Sequence, residues 1–264
     1  MTSLLDSPPT VIDSLRGERD RRPRANTTAA AGLRARLEEG IAALLGGAPR
    51  ESPVTVRASS LRAPVPRHEP HGAPLAQMRG VLVTYALRLI SVGHCLDEIF
   101  DDSFSAWRCA DPQSELMRAM DALSADERAR LAADVSAHGV TLRRSLGALS
   151  GHWSPRTSLR AHQRLGGGNV VLRDVVDLMA GSTLSEASSV VLLDVTTATL
   201  DDADERVMRY HALVQTLRTS TVPLRTSIFS TATGELWHLD VDDELLARGV
   251  DDVLVAIERL ATEQ

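Results

Sequence analysis

Apolar residues recur first at helical steps. Leu33, Leu37, Ile41 and Leu45 fall four apart between Thr28 and Leu45, and Gly46-Gly47 closes the run, which predicts an amphipathic helix. Residues 48–76 hold six prolines and two histidines, a linker with room for one short strand over Val54 to Val56. Met78 to Ile99 is strongly apolar, and Glu115 to Leu149 has helical spacing with Asp111 and Ser124 as candidate N-caps. Beyond Trp153 the period drops to two. Ser158 to Leu165 and Val170 to Met179 flank Gly166-Gly167-Gly168-Asn169, the pattern of a β-hairpin; a phosphate loop would need a following helix and a lysine, and neither is there. Ser189 to Thr197 reads as a third strand around the apolar run Val190 to Leu193, and Asp204 to Ser220 as a helix with Val207, Tyr210, Val214 and Leu217 on one face. A second hairpin, Leu224 to Ser230 and Leu236 to Val241 around Ala232-Thr233-Gly234, precedes a closing helix over Asp243 to Thr262.

This order predicts an α/β (α+β) protein: a mixed central sheet of about five strands flanked by helices and preceded by a helical block. The predicted division is a disordered tail over 1–27, a helical region over 28–157 containing the proline-rich linker, and an α/β core over 158–264. No internal repeat is visible.

Composition then removes several chemistries. All 29 basic residues are arginine, set against 35 acidic ones, and there is no lysine. Walker-type and kinase-type phosphate chemistry and Schiff-base chemistry, which need an ε-amine, are excluded. Arginine and alanine richness is also what a GC-rich genome produces. With 43% apolar and 3% aromatic residues, the core must be built from Val, Leu and Ala. No stretch reaches the roughly 20 apolar residues of a membrane span, and Met1 to Thr10 carries Asp6, Pro8 and Pro9, so a cytoplasmic location is expected. Cys95 and Cys109 are too few for a disulfide framework and lack zinc-site spacing.

Candidate chemistry lies where carboxylates end apolar strands. Residues two apart share a strand face, which groups Arg173, Val175 and Asp177 on one strand and Val190, Leu192, Asp194 and Thr196 on the next. A carboxylate there is costly unless paired, and the obvious partners are an arginine or a divalent cation. Mg²⁺ is commonly held by one or two carboxylates plus water, so Asp177 and Asp194 would suffice if their strands are neighbours. The next helix adds His211, Gln215 and Arg218 at i, i+4 and i+7. Blander alternatives stand beside these: Asp194 capping a loop or pairing with Arg173, and His211 as an ordinary half-buried histidine.

Val175-Val176-Asp177-Leu178 followed by Val191-Leu192-Leu193-Asp194-Val195-Thr196 resembles the core of the PD-(D/E)XK nucleases, particularly the RecB-like branch. That family's order of helix, three strands, helix and strand is similar over roughly Ser158 to Val241, and its hairpin acid and acid-x-lysine would correspond to Asp177 and Asp194. The resemblance implies a metal-dependent nuclease using Mg²⁺ or Mn²⁺ on DNA, in repair or defence, with Thr196 at the lysine's place and His211 and Gln215 loosely matching its later helix; Arg173, on the strand face of Asp177, or Arg218, also a candidate nucleic-acid contact, could supply the missing positive charge. Its departures are specific. Thr196 stands where the lysine would be, and Gly80-Val81-Leu82-Val83-Thr84 puts threonine where an early histidine would be. A second reading therefore stands next to the first, an inactive nuclease-fold module that partners a helicase or other DNA-processing subunit. An unrelated α/β protein with structural aspartates is the third.

Charge is divided unevenly. Residues 1–157 hold 20 Arg and 18 acids, net +2, whereas residues 158–264 hold 9 Arg and 17 acids, net −8. If DNA binds, the arginines of the N-terminal half are the expected grip more than the core; the tail run Arg16, Arg19, Arg21, Arg22 and Arg24 reads either as a contact to nucleic acid or an acidic partner or as a solvated tail without function. The acidic run Asp201-Asp202-Ala203-Asp204-Glu205 reads either as a DNA-repelling loop or as a helix N-terminus that favours acids.

Overall fold

The computed structural model describes residues 11–16, 22–23, 27–62, 73–93, 115–147, 149, 153–181, 187–188 and 190–263. Its elements in chain order are α1 (Val11–Arg16), α2 (Thr27–Leu45), β1 (Val54–Arg57), a 3-10 turn (Ala58–Leu61), α3 (Ala73–Ser91), α4 (Glu115–Asp121), α5 (Ala125–Leu146), β2 (Arg156–Leu165), β3 (Val170–Ala180), β4 (Val191–Thr196), α6 (Asp202–Thr219), β5 (Arg225–Ser230), β6 (Leu236–Asp240) and α7 (Asp243–Thr262). A two-residue bridge also pairs Arg22–Pro23 with Ala187–Ser188.

The central sheet is mixed and six-stranded, in the order β1-β3-β4-β5-β6, with β2 on the other edge of β3. β2 and β3 form the expected hairpin, closed by the three glycines. At Gly166, φ is +58° and a Cβ would lie 2.5 Å from a methyl of Ile41, so only glycine lets α2 sit this close. β4 and β5 run parallel, as strands joined through a helix do, and β5 and β6 are antiparallel.

Helices cover both faces. On one, α1, α3 and α5 pack Leu82, Leu87, Leu142 and Leu146 onto Leu178, Val191, Leu193 and Phe229. On the other, α2, α6 and α7 pack Leu37, Leu213, Val214 and Val253 onto Val54, Val56, Val170 and Leu172. Helix starts follow the capping rules. Ser124 accepts the Glu127 N–H while Glu127 returns a carboxylate to the Ser124 N–H at 2.9 Å. Asp201 and Asp204 do the same for α6, with the Asp201 N–H reaching Asp204 at 2.9 Å, so this acidic run is a helix N-terminus.

Three features differ from the sequence expectation. The sheet has a sixth strand, because Val54–Arg57 leaves the linker to pair in parallel with Val170 to Arg173. The N-terminal segment contains a packed turn: Val11, Ile12 and Leu15 of α1 are buried, a helix too short to announce itself by periodicity. Finally, α2 lies against α6 and α7, so residues 27–57 contribute both a helix and a strand to the core assigned to 158–264. Cys95, Cys109, Asp111, the helix end near Ile99 and the tail arginines Arg19, Arg21 and Arg24 lie outside the described residues. Among the described residues no helix is long and apolar enough to cross a membrane.

Candidate functional site

The site is made by a fork in the sheet. β1 and β4 both pair with the same edge of β3, β1 at residues 170–173 and β4 at residues 178–180. Positions 174–177 fall between them. Extending the β3–β4 register one step beyond Leu178↔Leu193 sets Asp177 opposite Asp194, and there the strands part. Asp177 Oδ2 accepts the backbone N–H of Val195 at 2.9 Å, and Oδ1 accepts the Thr84 hydroxyl of α3 at 3.4 Å. On the far side, Ser158 of β2 faces Asp177 with φ at +52°, a left-handed conformation uncommon for serine and a local strain at the fork.

The two carboxyls are close enough to act on each other's titration. Burial, followed by the charge of Asp194, pushes Asp177 well above the usual carboxylate range. Burial acts upward on Asp194 as well, but His211 and the hydrogen bonds from Asp177 outweigh it and hold Asp194 below its ordinary value. Of the two, Asp177 is the acid that holds its proton more readily.

His211 completes the constellation from α6. It is 1% exposed, its Nδ1 lies 2.8 Å from Asp174 Oδ1, and its Nε2 lies 3.5 Å from Asp194 Oδ2. The second distance is that of an ion pair and is too long for a good hydrogen bond, so Nε2 has no hydrogen-bond partner. Burial alone would lower the imidazole's pKa, but Asp174 and then Asp194 reverse this and raise it well above its ordinary value. The Tyr210 hydroxyl fixes this helix in place, reaching the carbonyls of Val56 at 3.0 Å and Arg173 at 2.9 Å. One turn after His211, buried Gln215 donates to the Met179 sulfur at 3.7 Å and accepts from Arg218 Nε at 3.2 Å.

Asp177, Asp194 and His211 thus meet, and Gln215 continues their stripe. The other expected residues stand elsewhere. Arg173 and Val175 are exposed on the sheet face before the fork, and the positive group beside the acids is His211. The Thr196 hydroxyl accepts the Ala198 N–H at 3.2 Å, closing its own turn instead of facing the acids. Arg218 is exposed at the end of α6, tied to Gln215. Asp174 was missed. Its signal was present: Val170, Leu172, Asp174 and Val176 alternate on the buried face, and a carboxylate among them needs a partner.

Among the described residues no group of three or more His, Cys, Asp and Glu is arranged to hold a metal ion. What the fork offers is two carboxylates, one of them partly open to solvent with its side chain 23% exposed. That donor set suits a hard cation that keeps most of its water, and not the three- or four-ligand cage of zinc.

No family model matches the chain, and no curated protein matches it. Among solved structures it is similar to the protein described as SSO0001, at 9% identity and a TM-score of 0.32 over 87% of this chain and 86% of that one. A likeness that slight bears on neither fold nor function.

Proposed function

We propose that this protein is a divergent metal-dependent nuclease of PD-(D/E)XK type, hydrolysing DNA phosphodiester bonds at the Asp177–Asp194 fork. The observation that carries the reading is the convergence of these two carboxyls, from different strands, beside a buried histidine. A bound Mg²⁺ or Mn²⁺ would supply an acidified water and offset charge on the scissile phosphate. The chain's own residues hold and orient. Asp177 gives up its proton so that both carboxylates face the fork, Val195 N–H and Thr84 keep Asp177 aimed, and His211 steadies Asp194 in its ionised form while Asp174 anchors the ring. His211 thereby provides the positive charge that Thr196 does not.

The inactive module beside a helicase or other DNA-processing subunit remains the second reading. It is favoured by the Thr196 hydroxyl being spent on its own turn, in a chain without lysine. Incubation of the purified protein with single- and double-stranded DNA and Mg²⁺ or Mn²⁺ separates the two. Cleavage that Asp194→Ala abolishes supports the nuclease, cleavage unchanged in that variant overturns the site, and absence of cleavage by the wild type favours the module.

A further inference from the structure

The face of the sheet leading up to the fork is lined with arginine. Arg57 of β1 and Arg173 of β3 are register partners, and Arg173 is in turn opposite His162 of β2, so three basic side chains form one row across three adjacent strands. Arg160 and Arg164 sit two residues to either side of His162 on the same face of β2. All five are exposed, and they line a cleft of about 1050 Å³. Like charges set side by side in a sheet repel. Elsewhere Arg36, Arg62, Arg79, Arg209, Arg225 and Arg248 each have a carboxylate partner, but among the described residues none of Arg57, Arg160, Arg164 and Arg173 forms an ion pair. Asp174, which also borders the cleft, is 4% exposed and engaged by His211. In a chain with net charge −6, the fold has collected unneutralised arginines from both halves of the sequence onto one face.

We infer that this face binds the phosphodiester backbone of a single-stranded nucleic acid, with Arg57, Arg160, Arg164 and Arg173 as its phosphate contacts. A concave surface of one charge sign focuses its field on a polyanion. Three strands at ~4.8 Å spacing make a track roughly 10 Å wide, which fits one backbone but not both backbones of a duplex whose grooves alone are about 6 and 12 Å across. The cleft's lining includes Val175 and no Phe, Tyr or Trp, so binding is chiefly through phosphates and largely independent of sequence. Direction also matters. Arg173 lies four residues before Asp177 on β3, about 13 Å along the strand at ~3.3 Å per residue, so a strand on this track points at the fork. Binding itself does not rest on the nuclease reading, because an inactive relative would hold the strand equally well.

The test is fluorescence anisotropy with a labelled oligothymidine of about 20 nucleotides, a length above the usual ~4–16-nucleotide site. It is run in EDTA on full-length protein, so that cleavage plays no part. The expected result is wild-type binding that weakens from about 50 to 200 mM salt, with each of the four arginines changed to Gln lowering the salt slope by about 0.7. The fourfold Gln variant should bind at least tenfold more weakly, whereas changing Arg143 and Arg144, exposed at the end of α5, to Gln should leave affinity within twofold. Circular dichroism checks that the variants are folded. Wild-type affinity in the fourfold variant, or no binding by the wild type at low salt, overturns the inference. Duplex DNA bound more tightly through the same four arginines overturns its single-strand part, and full displacement by stoichiometric inorganic triphosphate shows a small-polyphosphate site instead.

Discussion

Asp177 stands opposite Asp194 one step past the last paired residues of β3 and β4, where Val195 N–H and Thr84 hold Asp177 in place. Two carboxyls this close cannot both ionise freely, so one is raised and the other lowered.

Asn imitates the protonated acid. Asp177→Asn should keep the Val195 contact without a second charge beside Asp194, leaving stability at pH 8 within about 1 kcal/mol of wild type or above it. Divalent-metal binding, read by titration calorimetry, should be lost. Loss of both fold and binding would show Asp177 to be structural.

Metal binding should release protons. Because burial and the charge of Asp194 hold Asp177 well above the usual carboxylate range, loading with Mn²⁺ is expected to expel up to about one proton per ion and to tighten as pH rises. Calorimetry in two buffers of different ionisation enthalpy measures this directly. Identical heats in both would contradict a protonated pair.

The pH profile of stability has a definite sign. Asp177 and His211 both have folded pKa values raised above their unfolded ones. Their contributions are complete below the unfolded values, about 3.9 and 6.5, and fade as pH climbs through the raised ones. Asp194 behaves oppositely: its contribution is present above the ordinary carboxylate value and fades as pH falls through its lowered one. Melting temperature of the metal-free protein should therefore decline steadily from pH 6.5 into the alkaline range. The decline should be shallower in Asp177→Asn. A flat profile would remove the charged His211 from the site.

The Asp174–His211 pair should be worth most when half of it is missing. Asp174→Leu or His211→Leu alone strands one buried partner and should cost about 3–5 kcal/mol in urea denaturation, while the double variant recovers most of that loss. Equal, additive losses would show that the 2.8 Å contact is incidental.

Thr196 separates turn from catalysis. Its hydroxyl serves the Ala198 N–H, so Thr196→Ala should cost about 0.5–1.5 kcal/mol of stability and leave any DNA cleavage within about threefold. A large loss of cleavage in a stable variant would return Thr196 to the reaction.

The pattern of apolar residues revealed most of the elements because both hairpins, both late helices and their caps depend on neighbours close in sequence. The mixed α/β sheet follows from their order. What stayed hidden is non-local. β1 occupies the edge of β3 by pairing Val54 with Val170, and no local period marks that meeting. The fork is the gap between β1 and β4, so its occupants could not be sorted before both neighbours were known. Asp174 was overlooked because the odd-numbered face of β3 carried the more conspicuous Arg173 and Asp177, although the apolar company of Asp174 marked it as the buried one. The charge tally for residues 158–264 carried no spatial information either, since a sum over sequence cannot show that Arg160, Arg164 and Arg173 share one face with Arg57.

The shared edge of β3 also sets an order of assembly. The β2–β3 hairpin closes across a few glycines, on the microsecond scale of a short local pairing. β1 must return over 116 positions to reach the same strand, which makes its docking a slow step of high contact order. In a refolding chain followed by pulsed hydrogen exchange, amides of Leu159 to Arg164 should thus be protected before those of Val54 to Arg57. Until the latter arrive, β3 presents a bare edge beside its acids. This edge of β3 would be the last part of the sheet to be sealed, and until then it is open to mispairing with another chain.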